Sequence, residues 1–394
     1  MSHPRTYLDW NASAPLRPEA RAAMIAAMDE VGNPSSVHAE GRRAKAIVER
    51  ARVQVAELVG CDTSEVVFTS GATEAIALFA AQQWDDHGCT PLEHDAVVSH
   101  FHVLSVCPQT GEALVDTSGA FKPEQLVSGF GFYSKAVRKG EKGYPRKSRG
   151  LFAITAASSE TGVLQPVSAT CREFLGEQEV SHRLCDATQA IGKIAFDFSS
   201  LPVEYVAASS HKLGGPRGSG CALVRSGIDI FPVPRGGGQE HNRRAGTENV
   251  IGIAGFGAAA EAAQRDLANG EWDRVAEIRN SLEEVLKNAA PDLIIFGEAA
   301  PRLPNTSCFA IPGWRGETQV MQMDLAGFAI SAGSACSSGK VNKASRVLLA
   351  MGFDDVTASS AVRVSMGPTT TEAEVSAFAD AWIAAYRRWK AKAA

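Results

Sequence analysis

The sequence predicts an α/β fold built on a mostly parallel sheet. Short apolar runs typical of strands alternate along the chain with stretches in which apolar residues recur at helical spacing. Such alternation is typical of strand–helix–strand units, whose strands lie side by side in one sheet. With 394 residues and 45% hydrophobic content, the chain is long enough to bury a large core and to form two domains.

Composition excludes several classes of protein. A net charge of −5 argues against bulk nucleic-acid binding, and no apolar run reaches the roughly 18 residues that a membrane helix needs. The start of the chain lacks the apolar segment of a signal peptide, and the eight cysteines are scattered without metal-ligand spacing. We therefore expect a cytoplasmic protein that binds no metal, nucleic acid or membrane, and in which most cysteines are small buried hydrophobes.

The first half of the chain predicts a strand, a turn and a helix that could bind an anion. An amphipathic helix is predicted over 41–59, and 65–68 then indicates a strand that continues through small residues at 69–73 into a helix. Free backbone N–H groups at a helix start attract anions, so phosphate is the natural ligand of this turn. An ordinary capped helix start is the alternative. The other strands of the sheet are predicted at 152–156, 180–185, 203–208 and 221–224.

A smaller α+β unit is predicted after the sheet. Helices at 250–263 and 272–289 lead out of the sheet, followed by strands at 293–296 and 361–364 and a closing helix from Glu372. We expect the large domain to span 15–261 and the small domain to combine 1–14 with 262–394. The basic stretch 129–150 indicates a solvated loop, with a docking surface for an acidic partner as the alternative.

Lys212 lies in the glycine-rich stretch SSHKLGGPRGSG (209–220), between two predicted buried strands. An amine in such a tight connection can be desolvated, which lowers its pKa and suits Schiff-base chemistry. A surface lysine in a glycine hairpin is the alternative for this stretch alone. Asp186 ends another predicted strand, at the sheet edge where ligands bind in open α/β folds, and could pair with a protonated pyridine nitrogen.

Motifs spread over the whole chain resemble the pyridoxal-phosphate enzymes of aminotransferase class V. More specifically, they resemble the cysteine desulfurases whose nucleophile lies in an S-G-S-A-C-[ST]-S type loop. The matching stretches include YLDWNASAP (7–15), GNPSSVHAEGR (32–42), VVFTSGATEA (66–75), LEHDAV (92–97), SSETGVLQPV (158–167), DATQAIGK (186–193), RRAGTENVIGIAG (243–255), SAGSACSSGK (331–340) and VRVSMGP (362–368). The resemblance implies the pyridoxal-phosphate transferase fold of type I, with a sheet of the seven-stranded type and a smaller C-terminal domain that carries the cysteine loop.

The resemblance also implies a binding site for pyridoxal 5′-phosphate. Lys212 matches the lysine that forms a Schiff base with the cofactor, and Asp186 matches the partner of the pyridine nitrogen. Gln189 matches the residue that hydrogen-bonds the phenolic oxygen of the cofactor. The residues that match the phosphate cradle are Ala72, Thr73, Ser209 and His211. Thr247 matches the residue that reaches the phosphate from a second subunit, which implies a homodimer.

The same resemblance implies the residues that act on the substrate. Cys336 matches the nucleophile, and the small residues around it indicate a mobile, accessible loop. His94 matches the histidine that stacks on the cofactor ring, with the nearby His100 as an alternative because no clear strand is predicted ahead of His94. Arg363 matches the arginine that holds the substrate carboxylate, a task suited to a planar bidentate donor, and Asn33 assists it.

One pair of residues departs from the pattern of the family. Ser158 and Ser159 stand where the family usually has two asparagines, the second of which touches the phenolic oxygen of the cofactor. A serine is shorter and reaches that oxygen only through water. We therefore expect the hydrogen bonding around the bound cofactor to differ from that in the family.

The reaction implied by the resemblance converts L-cysteine to L-alanine and leaves a persulfide on Cys336. Lys212 would remove the Cα proton, and the sulfur would pass to an acceptor such as an iron–sulfur scaffold or a thiolation pathway. Two alternatives stay open. One is another class V enzyme, either a selenocysteine lyase or an aminotransferase, and the other is a weakly active homologue that acts as a binding partner.

Overall fold

The computed structural model describes residues 5–105, 113–122, 149–173, 180–233, 235–333 and 344–393. Cys336 and all but the last two residues of the basic stretch 129–150 lie outside these ranges. Within the described ranges, none of the helices is long and apolar enough to cross a membrane.

Strands and helices alternate along the described chain, as the sequence predicts. The strands are β1 (Thr6–Tyr7), β2 (Val66–Thr69), β3 (Asp86–Cys89), β4 (His102–Val103), β5 (Arg149–Thr155), β6 (Val180–Asp186), β7 (Tyr205–Ser209), β8 (Gly220–Val224), β9 (Ile294–Ile295), β10 (Thr306–Ala310), β11 (Phe328–Ala329), β12 (Ser331–Ala332) and β13 (Ala361–Ser365). The helices are α1 (Pro18–Met28), α2 (Ala39–Val59), α3 (Ala72–Ala80), α4 (Asp95–Val98), α5 (Val167–Glu173), α6 (Val250–Ala268), α7 (Glu271–Ala289), α8 (Gly316–Leu325), α9 (Arg346–Ala350), α10 (Asp355–Ser359) and α11 (Glu372–Ala393).

Seven of these strands form one sheet in the order β2-β8-β7-β6-β5-β3-β4. Strand β8 runs antiparallel to both of its neighbours, and the other neighbouring strands are parallel, which confirms the mostly parallel sheet. Strands β7 and β8 are buried along their whole length, as expected where helices cover both faces of a sheet. Because β5, β6 and β7 are parallel, their last residues, Thr155, Asp186 and Ser209, lie at one edge of the sheet.

A glycine in α6 allows two of the covering helices to approach closely. A Cβ atom added at Gly257 would lie 2.6 Å from the Cα of Ala51 in α2, closer than real Cβ atoms come. The apolar face predicted for the helix over 41–59 therefore packs against α6 with backbone nearly in contact with backbone. The predicted helices at 250–263 and 272–289 correspond to α6 and α7.

The second sheet contains the strands predicted in the C-terminal part of the chain. Its order is β12-β13-β10-β9, and its neighbouring strands are antiparallel. Strand β1 near the N-terminus pairs in parallel with β11, so the first residues of the chain join this part of the fold. On its helical side, Trp382 of α11 packs against both Trp314 and Tyr386, with ring centroids 5.4 and 5.7 Å away. The division into domains 15–261 and 1–14 with 262–394 stays a prediction.

The sequence predicts no clear strand ahead of His94, and this prediction is wrong. Strand β3 precedes it and lies between β4 and β5 in the sheet. Its sequence, Asp-His-Gly-Cys, lacks the apolar run that identifies a buried strand, so the pattern gives no signal. Pairing with the apolar β5 decides its structure, and the ring of His87 packs edge-on against Phe101.

A buried ion pair covers the edge of the large sheet at β2. Arg52 donates from Nη1 to the carbonyl of Val66 (2.7 Å), and the N–H of Phe68 donates to Oε2 of Glu240 (2.8 Å). The two side chains bind each other through two hydrogen bonds of 2.8 and 2.9 Å. Glu240 and the next two residues all have positive φ values of 47°, 57° and 64°, which is strained for residues other than glycine. The ion pair therefore holds a strained loop against the edge strand.

We predict that replacing Glu240 with Ala strongly destabilises the fold. The variant leaves the guanidinium of Arg52 buried without its carboxylate, which costs about 3–5 kcal/mol of unfolding free energy. Urea denaturation followed by circular dichroism measures the change. The control is Glu19→Ala, which removes the exposed ion pair between Glu19 and Arg265 and should cost less than about 1 kcal/mol. Equal midpoints for the two variants would contradict this account.

Candidate active site

A cavity of about 500 Å³ opens at the carboxyl ends of β5, β6 and β7. Its walls come from the N-terminal segment, the start of α3, the residues just before α4, these strand ends and the connection between β7 and β8. The predicted site residues that line it are Ala72, Thr73, His94, Ser159, Asp186, Gln189, Ser209, His211 and Lys212. The fold therefore brings together residues that lie up to 140 positions apart in the sequence, from Ala72 to Lys212.

Lys212 lies in a short 3₁₀ turn, Ser210–Lys212, in the connection between β7 and β8. Its Nζ donates to the backbone carbonyls of Asn11 (2.6 Å) and Ala12 (3.0 Å). The glycines that follow are needed because the turn is crowded: a Cβ at Gly215 would lie 2.0 Å from Oγ of Ser210. The amine is thus held at the cavity wall in a tight connection between buried strands, as the sequence predicts.

Asp186 is the last residue of β6 and lines the cavity. Its Oδ1 accepts a hydrogen bond from the N–H of Thr188 (3.0 Å). The buried hydroxyl of Thr188 also lies at the cavity wall and has no hydrogen-bond partner among the described residues. Gln189 donates from Nε2 to the carbonyl of Asn11 (3.0 Å), while its Oε1 accepts from Nζ of Lys193 (2.7 Å).

The end of the cavity at the start of α3 is suited to an anion. Helix α3 begins after Gly71, which has no side chain to cap the first N–H groups of the helix. The residues of this first turn line the cavity, so these N–H groups are available to an anion there. Ser209 and His211 approach the same end from β7 and the turn that follows it. Burial, aided by the positive charges of Lys212 and Arg217, lowers the pKa of His211 to about 4. His211 is therefore neutral at pH 7, and its ring can offer a neutral N–H donor.

His94 rather than His100 belongs to the cavity wall, where His100 is not among the lining residues. His94 caps the N-terminus of α4, and its Nδ1 accepts a hydrogen bond from the N–H of Ala96 (3.1 Å). The proton of a neutral ring is therefore on Nε2. The guanidinium of Arg346, at the start of α9, donates to the backbone carbonyls of Pro91 and Glu93 and so fixes the segment that leads to His94.

Glu93 is a buried carboxyl group that sequence reasoning missed. Its Oε1 accepts hydrogen bonds from the hydroxyl of Thr90 (2.6 Å) and the N–H of Thr155 (2.8 Å), which ties the His94 segment to the end of β5. Burial raises the pKa of Glu93 to about 8, and the negative charge of Asp186 acts in the same direction. At neutral pH, Glu93 is therefore mostly protonated. A single acidic residue next to a histidine gives no sequence signal of this role.

Arg363 lies behind the cavity wall rather than among its lining residues. It projects from β13 and is 2% exposed. Its Nη1 donates to the carbonyl of Ser159 (2.8 Å), and its Nη2 donates to Oδ1 of Asp9 (2.9 Å). The other carboxylate oxygen of Asp9 accepts from the hydroxyl of Ser331 (2.9 Å). Asp9 therefore links the arginine to the strand that leads into the segment with Cys336, and sequence reasoning did not identify it.

Two further predicted site residues do not line the cavity, and one lies outside the described residues. Asn33 is exposed, and its Oδ1 accepts a hydrogen bond from the N–H of Ser35 (2.9 Å). Thr247 is also exposed, in the loop that precedes α6. Cys336 falls in the range 334–343, which the structure does not describe.

Comparison with known proteins gives consistent matches over nearly the whole chain. The family model of aminotransferase class V matches residues 6–107 and 142–378. A cysteine desulfurase of Cereibacter sphaeroides is 36% identical over 94% of this chain and 93% of its own length. The cysteine desulfurase IscS of Dictyoglomus turgidum is 33% identical, with coverage of 94% and 91%. The solved structure of a NifS-like protein from Rickettsia africae is 28% identical, with a TM-score of 0.83 and coverage of 97% and 99%.

We predict that Glu93 makes the stability of the fold depend on pH. The carboxyl group has a pKa of about 8 in the fold and an ordinary value of 4.5 when unfolded, so the folded chain binds more protons between these values. The contribution of Glu93 to the unfolding free energy is therefore present below pH 4.5 and is lost as the pH rises to 8.

The matched variant is Glu93→Gln, which keeps the shape of the protonated carboxyl group and does not titrate. Urea denaturation at pH values of about 5 and about 8 should show wild type losing up to a few kcal/mol relative to the variant. A difference between the two proteins that stays constant across this range would mean that Glu93 does not titrate there.

Proposed function

The chain belongs to the aminotransferase class-V family, and from this premise we propose that it is a cysteine desulfurase. It removes sulfur from L-cysteine, releasing L-alanine and leaving a persulfide on Cys336. The desulfurase names of relatives that align with nearly the whole chain support this proposal. The single observation that carries it is that Lys212, Asp186 and the uncapped start of α3 surround one cavity.

The donors around the cavity fit pyridoxal 5′-phosphate. The start of α3, with Ser209 and His211, suits the phosphate, and the carboxylate of Asp186 suits a protonated pyridine nitrogen. Lys212 offers the amine for a Schiff base, and the unpartnered hydroxyl of Thr188 is a further polar group facing this space. When bound, the cofactor supplies an electron sink for the negative charge that develops at Cα of the substrate.

Lys212 is the proposed base for the Cα proton of cysteine. The carbonyls of Asn11 and Ala12 hold its Nζ at the cavity wall, where the amine would lie close to a bound substrate. His94, which also lines the cavity, is the proposed group that exchanges protons with the thiol of the substrate.

Arg363 is the proposed partner of the substrate carboxylate, assisted by Asn33. A planar guanidinium binds a carboxylate through two parallel hydrogen bonds, so its orientation matters. The contacts with Asp9 and the carbonyl of Ser159 fix that orientation. Because Nη1 of Arg363 binds the carbonyl of Ser159, a residue that lines the cavity, the guanidinium lies next to the cavity wall.

The chemistry of the other cysteines supports Cys336 as the nucleophile. The described thiols have raised pKa values, caused first by burial, which makes them poor nucleophiles; they are Cys61, Cys89, Cys171, Cys185, Cys221 and Cys308. Cys107 and Cys336 lie outside the described residues, and only Cys336 stands in a stretch that resembles the nucleophile loop of desulfurases.

We extend the proposal to a cytoplasmic homodimer that passes sulfur to an acceptor protein, such as an iron–sulfur scaffold or a thiolation relay. The exposed Thr247 does not line the cavity of its own chain, in keeping with a role in the site of a second subunit. The free thiols of the six described cysteines are in keeping with a reducing compartment.

We predict that Cys336→Ala abolishes the release of alanine and sulfide from cysteine. The variant lacks the sulfur acceptor, so turnover in the presence of a reducing thiol should fall by more than about 100-fold. The yellow colour of the bound cofactor should persist because the cavity is unchanged. Cys107→Ala is the matched control and should keep its turnover. A Cys336→Ala enzyme that works at the wild-type rate would instead indicate another class V reaction, such as that of a selenocysteine lyase or an aminotransferase.

We also predict that subunits with different defects complement each other. Lys212→Ala and Thr247→Ala should each lower activity as homodimers. In a mixed dimer, the Thr247→Ala subunit contributes Lys212 and the other subunit contributes Thr247, so one of the two sites is intact and activity returns to about half of wild type. If Thr247 acts within its own chain, neither site of the mixed dimer is intact, and mixing restores nothing. Co-expression with two affinity tags isolates the mixed dimer.

A further inference from the structure

A buried lysine lies directly behind the cavity. Lys193 is 2% exposed and follows the turn after Gln189. Its Nζ lies 2.7 Å from Oε1 of Gln189 and 3.1 Å from Oδ1 of Asn11. Burial holds the pKa of Lys193 well below its usual value, and the positive charges of Lys212 and Arg363 act in the same direction. Burying an amine costs free energy unless it is hydrogen-bonded, and here both partners are side-chain amide oxygens.

The chemistry of an amide explains what this contact does. One end of the amide group of Gln189 only accepts hydrogen bonds, and the other end only donates them. Lys193 offers three N–H donors when protonated and two when neutral, so in either state it can bind the oxygen ends of both amides. The amino end of Gln189 then faces the carbonyl of Asn11 (3.0 Å), and its second N–H is left for the cavity that Gln189 lines.

The side chain of Asn11 is held in place by residues other than Lys193, so the position of its oxygen does not depend on Lys193. Its Oδ1 also accepts from Nδ2 of Asn305 (3.0 Å), and its own Nδ2 donates to the hydroxyl of Thr306 (2.9 Å). Nδ2 of Asn305 in turn donates to the carbonyl of Met366 (3.0 Å). A reversed amide at Asn11 would set its NH₂ group against the NH₂ group of Asn305. It would also set its oxygen against the hydroxyl of Thr306, which already donates to Oδ1 of Asn305 (2.9 Å). The orientation of the whole network is therefore determined from the second sheet inward.

We propose that Lys193 is a positioning residue that orients the amide of Gln189 so that it presents an N–H donor, not an oxygen, to the cavity. This inference rests on the proposed function only in taking pyridoxal 5′-phosphate as the molecule in the cavity. An N–H donor at this position favours a ligand that places an acceptor oxygen beside Gln189. The phenolate oxygen of the cofactor would be such an acceptor. A reversed amide would direct its own oxygen there and repel the ligand.

The test uses the visible absorption of the loaded enzyme as a function of pH. An N–H group donated to the phenolate oxygen favours the deprotonated form of the cofactor bound to Lys212, so losing that donor raises the pH midpoint of the absorption change. The titratable and charged side chains that line the cavity are Glu74, His94, Asp186, His211, Lys212 and Arg217, Arg363 lies behind its wall, and all of them stay in place in the variants. We expect Lys193→Met and Gln189→Ala each to raise the midpoint by about one pH unit and to weaken reloading of the apoenzyme with pyridoxal phosphate about tenfold.

The decisive measurement is the double variant. If Lys193 acts through Gln189, the double variant shifts the midpoint no further than Gln189→Ala alone, whereas independent effects would add. Lys193→Gln keeps an amide donor and should recover part of the shift, and it replaces Lys193→Met if that variant does not fold. Lys287→Met, an exposed change in α7, is the control and should leave the midpoint unchanged.

Additive shifts, or an unchanged midpoint in Lys193→Met, would overturn the proposal. Its failure is distinguishable from failure of the proposed desulfurase function. A yellow wild-type enzyme that releases no alanine or sulfide from cysteine would remove that function and leave the test of Lys193 intact.

Discussion

The hydrogen bonds of Asn11 are the constraint on which the site depends. Asn11 is 1% exposed and lies between the cavity and the second sheet. On the cavity side it binds Gln189, Lys193 and Lys212. On the other side it binds Asn305, Thr306 and Ser365. Buried polar groups in such a network are costly to leave unpaired, so the two sides cannot shift independently. The N-terminal segment, far from the lysine in sequence, thereby sets where the amine lies.

The network brings several ionisable side chains close together, and this sets the electrostatics of the site. The positive charges of Lys212 and Arg363 lower the pKa of the nearby Lys193. Burial among positive charges keeps His211 neutral. On the acidic side, Glu93 is mostly protonated at neutral pH. Of the two acidic residues that line the cavity, Glu74 is bound by Arg244 (2.8 Å), which leaves Asp186 as the carboxylate available to a ligand. The start of α3 suits a phosphate-bearing ligand.

The sequence predicts those elements whose structure depends on residues that are close together along the chain. Buried strands such as β7 and β8 are short apolar runs, and the glycines after Lys212 indicate a tight turn because few other residues fit there. Strand β3 was missed because its polar residues become a strand only through pairing with β5. The contact between Lys193 and Asn11 joins residues 182 positions apart, and polar contacts of this kind follow no period along the chain. Such networks become apparent only in the three-dimensional structure.

The contacts at the edge strand β2 oppose its association with other chains. An edge strand with unpaired N–H and C=O groups is a template on which a neighbouring molecule can add a strand of its own, and this is a common start of aggregation. At β2, the carbonyl of Val66 and the N–H of Phe68 are already occupied by Arg52 and Glu240. A second chain would have to separate a desolvated ion pair before it could form its first hydrogen bond. The strained loop that carries Glu240 therefore also protects the folded chain at high concentration.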